Sequence, residues 1–187
     1  NRIEFEREHS PIESQSTSHE IDHLVRNIDG QLLAIELEWN NKDEFYDRDF
    51  QSVRRLYELG VIEAGVIVTR GQSLEEELLP MTTKFFEEFP INDFEDFKRL
   101  SAQFPDPKKE GESLFTFPTS KQAYSIKQKT EKKKDSKPFH VASAEVFKNS
   151  KFVGTTTNWR QLQKRIDRRD AGRTPILFLG IPASVFE

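Results

Sequence analysis

Residues 32–43 read LLAIELEWNNKD, and their apolar positions fall on every second residue. Leu33, Ile35, Leu37 and Trp39 alternate with Ala34, Glu36, Glu38 and Asn40, the period-two pattern of a half-buried strand. The first set is therefore expected against the core, and the opposite face carries Glu36 and Glu38 side by side. Two carboxylates at this spacing repel, and each raises the pKa of the other unless a cation lies between them or one is protonated. The plainest reading is the solvated outer face of an edge strand. The sequence on either side gives reasons to read more into it.

Upstream, EIDHLVR (residues 20–26) is a short strand candidate and NIDG a turn signal, so the two runs make a β-hairpin. Directly opposed hairpin residues share a face of the sheet. A three-residue loop of Ile28, Asp29 and Gly30 sets Asp22 opposite Glu36, whereas a loop of two or four residues sends Asp22 to the other face. The sequence thus permits, without forcing, a patch of three carboxylates from Asp22, Glu36 and Glu38. Such a patch suits a hard divalent cation. Mg²⁺ takes oxygen ligands, often one or two carboxylates completed by phosphate and water.

Downstream, Tyr46, Phe50, Val53 and Tyr57 recur at helical spacing, and Gly60 stands where a C′ glycine ends a helix. AGVIVT (residues 64–69) is a nearly continuous run rich in β-branched side chains, which predicts a central strand buried on both faces. Strand, helix, strand in this order suggests a βαβ crossover and an α/β fold with a mixed central sheet. The pattern predicts a further helix from Leu74 to Phe89. A basic helix opens near Asn158, with Leu162 and Ile166 as its buried stripe and Arg160, Lys164, Arg165, Arg168 and Arg169 on its other faces. Ile176 to Leu179 is expected as a last core strand. Residues 1–19 read as a loop. Residues 90–150 hold several Phe, several Pro and the run KTEKKKDSK, and are expected as an irregular, partly mobile insertion in a single domain spanning 1–187.

At 187 residues, 35% hydrophobic and 32% charged, the chain is long enough for one domain with a sizeable core. No apolar run approaches the roughly 20 residues of a membrane helix. The absence of cysteine excludes a disulfide framework and a thiolate metal site, and fits a reducing cytoplasm. The N-terminus is charged and polar, without a signal-peptide pattern. The chain begins at Asn1 and its only methionine is Met81, so it is expected to be a processed form or a piece of a longer protein. The net charge of −4 hides a division: residues 1–117 carry 13 Lys and Arg against 26 Asp and Glu, and residues 118–187 carry 15 against 6. This points to a polyanionic partner for the C-terminal part, although the lysine run by itself also reads as a solvated loop.

In order along the chain, IDH, AIELEWNNKDEFYDRDF, RRLYELGVIEAGVIVTRG, GTTTNW and RTPILFLGIP together resemble type II restriction endonucleases of the BglII/BamHI/BstYI group, in the PD-(D/E)xK nuclease superfamily. The resemblance covers residues 21–73 and 154–182. It implies a restriction-endonuclease-like sheet flanked by helices. It also implies a homodimeric enzyme of the prokaryotic cytoplasm that hydrolyses phosphodiesters in a short palindromic duplex DNA site with Mg²⁺, for which Mn²⁺ substitutes. A GATC-centred six-base site and 5′ overhangs follow from the same likeness. By the family's motif, Asp22 and Glu36 are the metal ligands, joined by the Leu37 carbonyl, and Glu38 stands where most members carry lysine. The general base is left open between Glu38, a hydroxide held by the metal and bulk water.

The family reads DNA through loops at the edge of its sheet, which match Asn40, Asn41 and Lys42, then Arg70, Gln72 and Ser73, then Thr155, Thr156, Thr157 and Asn158. Amides and guanidinium groups suit bidentate base contacts, and hydroxyls suit phosphates. Arg160 and Lys164, next along the basic helix, are expected on phosphates. Plainer readings exist: Asn40 and Asn41 as caps of the following helix, the threonines as loop polarity, Trp39 and Trp159 as packing residues. Two other functions use the same residues. One is a nuclease fold kept as a DNA-binding module without turnover. The other is a glycosidase using Glu36 and Glu38, which strand rise places roughly 6–7 Å apart.

Overall fold

A computed structural model describes residues 21–132, 134–168 and 172–186. The loop expected over 1–19, Lys133 of the lysine run and Arg169 lie outside the described residues. The hairpin pairs β1 (His23–Arg26) antiparallel with β2 (Leu32–Glu38), matching His23 to Ile35 and Arg26 to Leu32. Its loop is the three-residue one. The Asn27 N–H donates to the Gln31 carbonyl at 2.8 Å, and Gly30 closes the turn at φ +83°, a left-handed conformation that side chains other than glycine's resist.

After β2 the chain rises through α1 (Phe45–Glu58) and returns as β3 (Ala64–Arg70), parallel to β2, which is the expected crossover. A parallel strand β4 (Ile176–Ile181) follows helix α6 (Trp159–Asp167), and the sheet order is β1-β2-β3-β4. Both α1 and α6 lie on one face of this mixed sheet. Val53 and Leu56 pack with Ala34 and Ile62, while Tyr46 and Phe50 pack with Ile67 and Leu162. The approach is close because glycine lines it: a Cβ at Gly65 would sit 2.4 Å from Val53 Cγ1.

The covered face is the one carrying the acids, which reverses the orientation expected for β2. Ala34, Glu36 and Glu38 face α1 and are 0%, 2% and 3% exposed, whereas Leu37 is 47% exposed. The alternation holds, but its polarity is inverted. The crossover connection, rather than the hydrophobicity of the strand, decides which face the helix covers. Small residues at 34 and 65 then let α1 press against that face. The other face, with Val25, Leu37, Leu177 and Leu179, is left partly open among the described residues.

Glu76–Gly154 forms a compact unit of its own, separate from the unit that holds the sheet. About half of the insertion expected to be irregular over 90–150 is instead helical. After α2 (Gln72–Glu88) come α3 (Phe94–Ser101), α4 (Ser120–Thr130) and α5 (Phe139–Lys151). Phe86, Phe97, Phe117, Ile126 and Val146 are buried together, with Phe94, Phe115, Phe139 and Phe147 packed around them. The phenylalanines that follow no period in the sequence are thus the core of this unit. Glu145 on α5 pairs with Lys129 at 2.9 Å and with Lys137, so part of the lysine run is folded back onto the unit.

Candidate active site

Where β1 opens from β2, Asp22 meets Glu36. The Asp22 N–H donates to Glu36 Oε2 at 3.2 Å, and the Leu37 N–H donates to Asp22 Oδ2 at 2.9 Å. Asp22 is exposed and Glu36 is buried, so one carboxylate faces solvent and the other is held from beneath. The hairpin register produces this meeting: His23 opposite Ile35 continues to Asp22 opposite Glu36. Among the described residues no three acidic or histidine side chains gather into a ready-made metal cage. The two carboxylates form a hard oxygen set nonetheless, of the kind that fits Mg²⁺, which fills its remaining positions with water and substrate phosphate.

Glu38 lies further along the same covered face. Its Oε2 accepts from Asn41 Nδ2 at 3.1 Å, and Arg48 lies 4.0 Å from its Oε1. Burial pushes its carboxyl above the usual range, and hydrogen bonds from Asp49 and Asn41 oppose that rise. Asp49, on α1, is 0% exposed, and its carboxyl is pushed up to about 9 by burial first and by the charges of Glu38 and Glu36 next. Asp49 therefore holds a proton at neutral pH and donates it to Glu38. Sequence reasoning misses Asp49 and Arg48, although both lie in the YDRDF stretch. The signal is there: Asp49 falls between Tyr46 and Phe50 on the inward stripe of α1, where a charge needs a partner.

The loops expected to read DNA are joined to each other. Lys42 and Thr156 form an antiparallel bridge, the Asp43 N–H donates to the Thr155 carbonyl at 3.1 Å, and the Thr157 N–H donates to the Asn41 carbonyl at 2.8 Å. Asn40, Asn41, Lys42, Gln72, Ser73 and Thr155 are exposed, as are Arg160 and Lys164. Asn40 and Asn41 do not cap α1, whose N-cap is Glu44. Four of the expected reading residues are placed otherwise. Arg70 is 0% exposed, donating to the Thr157 carbonyl at 2.7 Å and Thr156 Oγ1 at 2.9 Å, and pairing with Glu75. Thr156 is half-buried against it and Thr157 is fully buried. Asn158 is the N-cap of α6, its side chain accepting from the Gln161 N–H. In this arrangement these four support the loop from below, because a guanidinium inside the protein bonds the carbonyls around it before it can reach a base.

The family model described as Restriction endonuclease BglII/BglIII matches residues 1–181. No curated protein and no solved structure matches the chain.

Proposed function

Because the chain belongs to the BglII/BglIII restriction endonuclease family, and is thereby a type II restriction endonuclease that acts on DNA, we propose that it cuts a short palindromic duplex site with Mg²⁺ held by Asp22 and Glu36. The observation that carries this reading is the Asp22–Glu36 meeting at the mouth of the hairpin, with the Leu37 backbone between them. Mg²⁺ bound there, with the Leu37 carbonyl as a third protein oxygen, supplies Lewis acidity toward a phosphoryl oxygen and offsets its charge, and Mn²⁺ substitutes for it. Asp22 and Glu36 hold the ion, their carboxylates oriented by the two backbone N–H groups.

Glu38 receives the proton of the attacking water or orients that water. Its burial raises its basicity, and Asn41 and Asp49 fix its direction. Asn40, Lys42, Gln72, Ser73 and Thr155 reach bases or phosphates from the exposed loop edges. Two copies related by a two-fold axis serve the two strands of a palindrome, GATC-centred and cut to leave 5′ overhangs, in the prokaryotic cytoplasm. Among the described residues no helix is long and apolar enough to cross a membrane.

Plasmid and phage DNA incubated with the protein and Mg²⁺ are expected to give discrete fragments, with none in EDTA. Glu38→Ala is expected to lower the single-turnover rate by at least about 10²-fold while leaving the Kd for duplex DNA near that of the wild type. Cleavage unaffected by EDTA would remove the metal, and full activity in Glu38→Ala would reduce Glu38 to a buried strand residue.

A further inference from the structure

The 76–154 unit carries a groove that its own core does not fill. Phe94 and Phe97 of α3, Phe115 and Phe117 of the segment after it, and Ser120 and Ala123 of the first turn of α4 line a cavity of about 510 Å³. Phe97 and Phe117 are buried, while Phe94 and Phe115 are only half-buried and keep ring surface toward the opening. Lys127, one turn beyond Ala123, places its ammonium 5.8 Å from the centre of the Phe94 ring and so marks the edge of the groove. Beside Ala123 stands Tyr124, 65% exposed, with Lys121 and Gln128 on the same outward face.

The charge around this aromatic surface is of one sign along α4. Residues 121–137 hold seven lysines against two acids. Lys129 and Lys137 are spent on Glu145, and Lys98, on the α3 side of the groove, pairs with Glu95 at 2.6 Å. Lys121 and Lys127 are exposed and have no carboxylate partner among the described residues. A lone exposed tyrosine or a lone lysine stripe is ordinary surface. Interleaved, they call for a ligand that brings anionic groups and open ring faces together. Duplex DNA brings the phosphates but keeps its bases stacked on one another. A single strand brings both, and a basic track with aromatic platforms is how single strands are held without regard to sequence.

We propose that the groove and the adjoining face of α4 bind single-stranded DNA. Bases stack on Tyr124 and enter the groove against Phe94 and Phe115, and the phosphates between them run along Lys121 and Lys127. This is a second nucleic-acid site, in a different unit from Asp22 and Glu36, and it takes the form of DNA that loops built for a paired duplex do not read. It requires neither metal nor cutting, so it stands or falls apart from the cleavage reading.

The test measures fluorescence anisotropy of a labelled oligothymidylate of about 20 nucleotides, and of a duplex of similar length, with the full chain in EDTA. Tyr124→Ala is expected to weaken binding of the oligothymidylate by about tenfold, the loss of one stacked base. Its Kd for the duplex should stay within about twofold of the wild type. Tyr124→Phe, which keeps the ring, should bind as the wild type does. Lys121→Gln with Lys127→Gln should reduce the salt slope on the single strand by about 1.4, at roughly 0.7 per phosphate. Wild-type protein that does not bind the oligothymidylate would overturn the inference. So would Tyr124→Ala binding it as tightly as the wild type, or losing affinity equally for single strand and duplex.

Discussion

Asp49 is the residue that strand and motif patterns do not bring into view, and its chemistry can be examined apart from cleavage. A carboxyl buried at 0% exposure beside two other carboxyls folds most easily in its neutral form. Its folded pKa, about 9, lies above its unfolded value of 3.8, so between those pH values the native state binds a proton that the unfolded chain has lost. Stability from this group is therefore present in full below pH 3.8 and is lost progressively as pH rises toward about 9. Asp49→Asn keeps a donor for Glu38 and removes the titration. In EDTA the variant should gain on the wild type as pH rises, reaching about 2–4 kcal/mol at neutral pH. Urea unfolding at pH 5, 7 and 8.5 reads this directly; parallel pH profiles would show that Asp49 is ionised in the folded protein. Glu36 and Glu38 are visible as a pair because they alternate with apolar residues in one strand. Asp49 requires knowing that α1 lies over that strand.

At the scale of elements, the sequence is most legible where a period runs long enough to count. The hairpin, α1, β3, α6 and β4 all stand where their spacing puts them, and Gly60 does end α1, at φ +67°. The polarity of β2 is not legible, because a crossover helix chooses a face by chain connection and β2 offers it acids flanked by a small residue. In the 76–154 unit α2 lies close to its expected bounds, but α3, α4 and α5 escape the pattern for another reason. They are short, and their buried positions are phenylalanines that also occur in the turns between them. Their start signals are present, since Asp93 with Asp96 and Thr119 with Gln122 each form a capping box. The basic face assigned to α6 also divides: Arg165 is 5% exposed and bonds Asp47 at 2.8 and 3.1 Å, with Asp43 at 3.5 Å. It ties α6 to the start of α1 and so steadies the 155–158 loop that leads into α6. Arg165→Met should cost about 1–3 kcal/mol, less than a fully buried pair because Asp47 retains water. A loss under about 0.5 kcal/mol in urea unfolding would place it among ordinary surface charges.

For the whole molecule, the division of charge has two addresses. One is the edge of the sheet-bearing unit, where Arg160 and Lys164 stay exposed on α6 once Arg165 is committed to Asp47. The other is α4 in the 76–154 unit, where Lys121, Tyr124, Lys127 and Gln128 share the solvent face. Lys129 and Lys137 are already engaged by Glu145, so they contribute less to any external partner than their place in the lysine run suggests. A chain of net charge −4 approaches DNA only if its cations are gathered where the phosphates pass. Each phosphate neutralised releases counterions, so removing one phosphate-bound cation lowers the slope of log K against log salt by roughly 0.9. Arg160→Gln with Lys164→Gln should therefore lower that slope by about 2 and weaken binding to all duplexes alike. The effect should be the same on cleavable and unrelated sequences, since an ion pair with a phosphate carries no sequence information. Lys121→Gln with Lys127→Gln provides the comparison. If the slope falls only in the second pair, the phosphates run along α4, and α6 serves the loop rather than the DNA. If it falls in both, the two effects should add, because the pairs belong to separate units.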